Sequence, residues 1–277
     1  LTERQIDSKV LFNRTIVPFR ATFISMTILN SAASVLRCFN SECTELTVTD
    51  TVEQLGIPKS NASRLLRAMR DAGLLETIGN TKRYRPGVLV IAAASSYRRS
   101  SSLVERASEA VARISAATGH TGYVSKLIGG EIAAVSDQPG THALRVVSSI
   151  GRKLSSHGSG TGRALLALYS DAEVRAMFPE GITPPSELSP QTVDELLERL
   201  AEVRSTGVSF SSQESTRGVD ALSVSVRDPE TSEAVALCIV YPQALATDEE
   251  RKSIETMLLN GAAEVAAALG DMTAKKR

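Results

Sequence analysis

Residues 47–87 read TVTDTVEQLGIPKSNASRLLRAMRDAGLLETIGNTKRYRPG, and this stretch decides the N-terminal fold. Thr47 and Asp50 stand at capping-box spacing, and Val48, Val52 and Leu55 recur at i, i+4 and i+7, which predicts a short amphipathic helix over 47–55. Gly56 ends it, and Pro58 stands where a second helix opens, a position that tolerates a missing N–H. Gly73 supplies the left-handed stop after Ala72. Two helices joined by a short Gly-containing turn make a helix-turn-helix. With about 100° of rotation per residue, Ala62, Leu65, Leu66 and Met69 fall on one side of the second helix. Ser60, Arg64, Arg67 and Asp71 fall on the other, flanked by Asn61 and Ser63.

Beyond Gly73, residues 74–78 read as a strand, 79–81 as a turn and 82–85 as a returning strand closed by Pro86 and Gly87. This is a two-stranded wing. From Lys59 to Arg85 the chain holds seven basic residues, with Lys82, Arg83 and Arg85 on the wing, against only Asp71 and Glu76. Ser, Asn and Arg on a helix that enters the major groove reach phosphates and base edges, and a cationic wing suits the backbone or a narrow minor groove. Lys59, Ser60, Asn61, Ser63, Arg64, Arg67, Lys82, Arg83 and Arg85 are therefore the candidate contacts to double-stranded DNA. The competing reading is a solvated basic face on an ordinary hairpin.

Working outward, an apolar-rich helix over 31–39 offers Val35, Leu36 and Phe39 to close a three-helix core. Residues 1–29 form an N-terminal arm that either extends this helix or packs on a neighbouring subunit. Val88 to Arg99 reads as an alanine-rich helix running into Arg98-Arg99-Ser100-Ser101-Ser102, a polar joint where a domain boundary is expected. Leu103, Ala107, Ala110, Val111 and Ile114 then carry helical spacing to Gly119. Strands are expected over 121–127, 131–136, 208–213, 221–226 and 234–241. A helix opening at Ser189-Pro190 ends at Gly207, and a second capping box, Thr247 with Glu250, opens a long C-terminal helix to Leu269. Helices on a largely antiparallel sheet make an α+β domain.

Composition sets the outer limits. The 277 residues suit two domains, and 42% hydrophobic with 22% charged residues is ordinary globular usage. Thirty-one basic and thirty-one acidic side chains cancel overall, yet residues 1–100 hold 14 Lys+Arg against 8 Asp+Glu, so the N-terminal part is cationic and the remainder anionic. The longest clear apolar run, 88–94, is far short of a spanning helix, so no membrane association is expected. Cys38, Cys43 and Cys238 are too few for a disulfide framework and lack zinc-site spacing, which favours a reducing cytoplasm and predicts neither metal nor cofactor.

The densest glycine cluster is His157-Gly158-Ser159-Gly160-Thr161-Gly162-Arg163-Ala164-Leu165-Leu166, a loop meeting a helix start. It matches neither the dinucleotide fingerprint, nor the P-loop, nor the G-x-S-x-G nucleophile elbow. An anion cradle and a plain tight turn both fit it. A hydrolase using His157 with Ser159 or Cys238 is the enzymatic alternative, but His120, His142 and His157 stand in no triad order, and no catalytic residue is expected.

From about Ser31 to Gly270 the chain resembles the IclR family of bacterial transcriptional regulators. The resemblance is carried by 55–66 (LGIPKSNASRLL), Gly73-Leu74-Leu75, Tyr84-Arg85-Pro86-Gly87, the cluster at 157–167, Gly207 to Gly218, and the strand ending Tyr241-Pro242. It implies an α+β chain with a winged helix-turn-helix over 30–87, a linker helix over 88–101 and a GAF-like effector-binding domain over 102–277. It also implies homodimers or homotetramers on palindromic operators near catabolic genes, responding to small organic acids or aromatic metabolites. By position, the resemblance assigns the small-molecule effector to Val146, Leu154, Gly160, Thr161, Ser211, Asp220, Ala221, Cys238 and Val240. Members that bind small keto acids carry Asp, Cys and Ser where this chain has Ser211, Ala221, Cys238 and Val240, a more apolar lining. That favours a larger apolar body, an aromatic acid or amide. A repressor of a catabolic operon is the expected role, and an architectural DNA binder without effector is the remaining alternative.

Overall fold

The computed structural model describes residues 28–40, 43–146 and 153–275; most of the expected N-terminal arm lies outside them. The first unit comprises α1 (Ile28–Arg37), α2 (Val48–Leu55), α3 (Lys59–Asp71) and a hairpin of β1 (Leu75–Thr77) with β2 (Tyr84–Pro86). The capping box of Thr47 and Asp50 is formed in both directions, and Gly56 closes α2 at φ 64°. Pro58 precedes α3 as its N-cap, its carbonyl accepting from the Asn61 and Ala62 amides at 2.9 and 3.0 Å. Ala62, Leu65, Leu66 and Met69 are the buried residues of α3, the four the helical period selects. The last three join Val35, Leu46, Leu75 and Tyr84 in a small core, with Leu36 and Phe39 packed against it. An isolated bridge between Leu46 and Tyr84, bonded both ways at 2.8 Å, straps the lead into α2 onto the wing. A Cβ on Gly87 would stand 2.4 Å from the Gly73 carbonyl oxygen, so only glycine lets the wing close on the end of α3.

Helix α4 (Val88–Ser100) follows, and Ser101 separates it from α5 (Ser102–Thr118). The Ser101 hydroxyl caps α5 by accepting from the Val104 amide. The C-terminal unit continues with β3 (Thr121–Ile128), β4 (Glu131–Gln138), β5 (Lys153–Ser155), α6 (Gly160–Leu166), α7 (Asp171–Met177), α8 (Val193–Thr206), β6 (Ser209–Ser212), β7 (Val219–Arg227), β8 (Ala234–Pro242) and α9 (Asp248–Lys275). Its six strands run in the order β5-β4-β3-β8-β7-β6, each pairing antiparallel. Strand alternation divides the sheet into two faces. Leu222, Val224, Val235, Leu237 and Ile239 pack with α5 and α9 in the main core. Ile132 and Ala236 point the other way and pack with Ala164 and Leu165 of α6. The chain is thus the winged helix-turn-helix plus α+β sheet domain that its pattern implies.

Three local expectations shift. The helix expected from Ser189-Pro190 begins later, because the Ser189 hydroxyl turns back on Ser186 while Thr192 caps α8 through the Glu195 amide. At α9 the Thr247 hydroxyl accepts from the Glu250 amide as expected, but the Glu250 carboxylate meets His120 Nε2 at 3.1 Å. Strand β5 and helix α7 are additions to the expected elements, although α7 carries a complete capping box, Ser170 with Glu173.

Candidate nucleic-acid interface and ligand pocket

Lys59, Ser60, Asn61, Arg64 and Arg67 are exposed on α3, and Ser63 is half-buried between them. Arg64 Nη2 donates to Asn61 Oδ1 at 2.7 Å and Arg67 Nη2 to Ser63 Oγ at 3.1 Å, so two guanidinium groups lie along the outer face, each held one turn from its own position. Asp71, at the far end, is neutralised by Arg70 at 2.7 Å. Lys82 at the wing is exposed and has no ion-pair partner among the described residues. Arg83 is paired with Glu45, and Arg85 with Glu76 at 2.7 Å. All nine residues singled out in the sequence therefore sit on one helix and one hairpin fixed by a common core, although two wing cations carry acidic partners that sequence distance conceals. A helix of 13 residues spans roughly 20 Å, enough to lie in a major groove.

Between this unit and the sheet domain, Glu233, just before β8, accepts from Ser101 Oγ at 3.1 Å and from Lys126 Nζ at 2.8 Å. Lys126 also stands 5.3 Å from the ring centre of Tyr97 on α4. These partners hold the Glu233 carboxyl below its ordinary range, the Lys126 bond being the main cause. The end of α4 is thus attached to β3 and β8, both of which carry lining residues of the pocket on their opposite face.

That pocket, about 130 Å³, lies on the α6 side of the sheet. Val146, Leu154, Gly160, Thr161, Ser211, Ala221, Cys238 and Val240 line it together. Asp220 does not. Consecutive strand residues face opposite sides, so with Ala221 in the pocket Asp220 points to the α9 side, where Oδ1 accepts from Ser212 Oγ at 2.8 Å. The lining also draws on Tyr123 and Ser125 of β3, Ile132 and Ala134 of β4, Val219 of β7, and Ser159, Ser215 and Thr216 from loops. Alternation from Ala221 and Cys238 signals Val219; the two loop residues after Glu214 had no signal.

The glycine cluster supplies Ser159, Gly160 and Thr161 to this lining, and its glycines stand where packing is tight. Ser159 caps α6, accepting from the Gly162 amide at 3.1 Å and donating to Ser155 O at 2.9 Å. A Cβ on Gly162 would fall 2.1 Å from Ser156 O, and one on Gly160 would fall 2.9 Å from Ser211 Cβ. His157 Nε2 meets the Thr183 carbonyl at 3.0 Å and its ring stands edge-on to Phe178. Burial pushes the Cys238 thiol up, against the opposing hydrogen bonds of Ser223 and Thr161. Among the described residues, no group of three or more His, Cys, Asp or Glu is placed to hold a metal ion, and no helix is long and apolar enough to cross a membrane.

The family models decide the identity. The IclR helix-turn-helix domain matches residues 30–79, and the bacterial transcriptional regulator IclR C-terminal domain matches 95–267. The chain belongs to the IclR family. Among its relatives, the HTH-type transcriptional regulator XynR of Escherichia coli K12 is 27% identical, the match covering 86% of this chain and 95% of that protein. The transcriptional repressor IclR of the same organism is 28% identical over 81% of this chain and 83% of its own length. The fold of an IclR regulator from Alicyclobacillus acidocaldarius superimposes with a TM-score of 0.75 at 23% identity, covering 87% and 97% of the two chains. An IclR homologue from Microbacterium hydrocarbonoxydans, solved with 4-hydroxybenzoate, superimposes with a TM-score of 0.73 at 19% identity, covering 88% of this chain and all of the other.

Proposed function

We propose that this IclR-family chain represses a catabolic operon in the cytoplasm by binding operator DNA, and releases or rearranges on it when a small aromatic acid or amide occupies the sheet pocket. In this reading residues 30–87 read the duplex, 88–101 relay, and 102–277 sense the ligand. One observation carries it: Ser60, Asn61, Arg64 and Arg67 face solvent on α3, with the apolar face of that helix fully committed to the core. Base contacts would come from α3 and backbone contacts from Lys59, Lys82, Arg83 and Arg85. Arg83 and Arg85 exchange Glu45 and Glu76 for phosphate.

A palindromic operator needs two heads about one helical turn apart, roughly 34 Å, hence a homodimer or a homotetramer. Val88, Leu89 and Ile91 on α4 are exposed apolar side chains, and we assign them to contact with a second copy, directly before the segment attached to the pocket strands. A ligand shifts DNA affinity only if it binds the two arrangements of the heads unequally. The repressor role is supported by the names of relatives in Escherichia coli and Salmonella typhimurium, and an aromatic ligand by the bound 4-hydroxybenzoate of the structural neighbour. The engagement of His157 and Ser159 in loop and capping bonds supports a regulator rather than a hydrolase. Gel-shift on the chain's own upstream DNA, with and without single-ring acids and amides, tests the reading; equal affinity for operator and random DNA would sink it.

A further inference from the structure

With the sheet pocket taken as the ligand sensor, the reading on which this inference rests, the charge class of the ligand is still open, and the lining bears on it. None of the described residues lining the cavity is Asp, Glu, Lys, Arg or His. Arg145 and Arg217, next in sequence to the lining residues Val146 and Thr216, are exposed. Arg163, on the bordering helix, is engaged by the Glu214 carboxylate and the Phe210 carbonyl. A cavity of about 130 Å³ is close to the roughly 150 Å³ that accommodates a benzene ring, so one six-membered ring with small substituents fills it.

On the side of β3 away from β6 the lining is Ile132 and Ala134 of β4, and between β3 and β6 it is Ala221, Cys238 and Val240. Ser125 on β3 and Ser211 on β6 are 4% and 5% exposed, and neither side chain makes a hydrogen bond among the described residues. They lie three strand spacings apart across the sheet, roughly 14 Å, and are also offset along it, because Ser211 aligns through Ala221 and Val240 with Thr121, four residues or roughly 13 Å from Ser125, so a single ring meets one of them and not both. Three other lining hydroxyls are engaged, Thr161 with Ser223 at 3.1 Å, Ser215 with the Gly158 carbonyl at 2.7 Å and Ser159 in its cap, while Thr216 is exposed. A carboxylate placed here loses its water and gains no counterion among the described residues, an expensive transfer. An amide or hydroxyl loses far less water and finds Ser125 or Ser211, each able to donate and to accept.

We propose that the pocket selects an uncharged single-ring ligand with a hydrogen-bonding substituent, a carboxamide for example, over the carboxylate of the same skeleton. The Cys238 thiol, kept protonated by burial, adds no charge against it.

Calorimetric titration of the whole chain at neutral pH with two matched pairs, 4-hydroxybenzamide against 4-hydroxybenzoate and the 3-hydroxy equivalents, tests this. The amide of at least one pair is expected to bind about tenfold or more tighter than its acid. One of Ser125→Ala and Ser211→Ala should weaken the amide several-fold with little effect on the acid. Ala221→Phe, which fills the cavity, should remove amide binding; binding that survives it in a folded protein is elsewhere and overturns the proposal. Acids that match or exceed their amides also overturn it while leaving a ligand sensor intact. Failure of all four to bind overturns the single-ring class. If an amide binds as expected but leaves operator affinity unchanged, the charge class stands and the sensor reading fails.

Discussion

Arg163 on α6 and Glu214 in the connection from β6 to β7 form a buried ion pair, 1% and 5% exposed. Arg163 Nη2 donates to Glu214 Oε1 at 3.0 Å and to the Phe210 carbonyl at 2.9 Å, while Nη1 serves the other carboxylate oxygen. The pair ties the helix that brings Gly160 and Thr161 to the pocket to the loop that brings Ser215 and Thr216. Two walls of one cavity, about fifty residues apart in sequence, are thereby held together.

Removing Arg163 leaves Glu214 buried with only the exposed Arg199 at 3.6 Å, and removing Glu214 leaves Arg163 buried without a carboxylate. Arg163→Met or Glu214→Leu alone should each cost about 3–5 kcal/mol in urea unfolding. The double replacement by apolar residues should lose clearly less than the sum of the two, since no uncompensated charge remains. Additive losses would show that the pair is not coupled.

On α3, Arg64→Ala should cost on the order of 1–3 kcal/mol on the operator and relax preference at one base position. Lys82→Ala should instead weaken all duplexes alike and lower the salt slope by about one. The measurement is fluorescence anisotropy on operator and scrambled duplexes over a salt series.

Glu76 competes with phosphate for Arg85 on the wing. Glu76→Gln should therefore raise affinity for operator and scrambled DNA together, by a few-fold at low salt, and the gain should fade as salt rises. A gain confined to the operator would mean that Arg85 reads bases.

Gly162 has a Cβ direction blocked by the Ser156 backbone, with its carbonyl oxygen 2.1 Å away. Gly162→Ala should destabilise by about 1–3 kcal/mol, read as a fall in Tm, because backbone cannot yield as a flexible side chain does.

His120, almost fully buried, has a pKa lowered chiefly by desolvation, with Glu250 pulling the other way and His142 adding to the lowering. Below its ordinary value of 6.5 the unfolded chain takes up a proton that the folded chain resists, so stability should fall as pH drops from 6.5 toward the lowered folded value and be fully present above 6.5. His120→Gln should flatten Tm against pH over this range.

Local chemistry is enough for the DNA-reading unit. Capping residues, Gly56, Gly73 and the 3.6-residue period place α2, α3 and the wing, and burial of Ala62, Leu65, Leu66 and Met69 leaves one outward face for Arg64 and Arg67. Each of these signals acts within a few residues, so it survives in a linear string. Ser170 with Glu173, also local, shows that α7 is equally legible.

The pocket is legible only through family resemblance, and Asp220 marks where resemblance gives way to geometry: strand pleating assigns one side of the sheet to Ala221 and the other to its neighbour. Most of the helices and strands, the split of charge and the outer face of α3 can be read along the chain, because periodicity and caps are short-range. Folding in three dimensions was needed to seat Glu45 and Glu76 on two wing arginines, to bind Arg163 to Glu214, and to gather a lining that carries no charge among the described residues. Those outcomes depend on pairings over 9 to 51 residues, fixed by packing and sheet register rather than by any pattern along the chain.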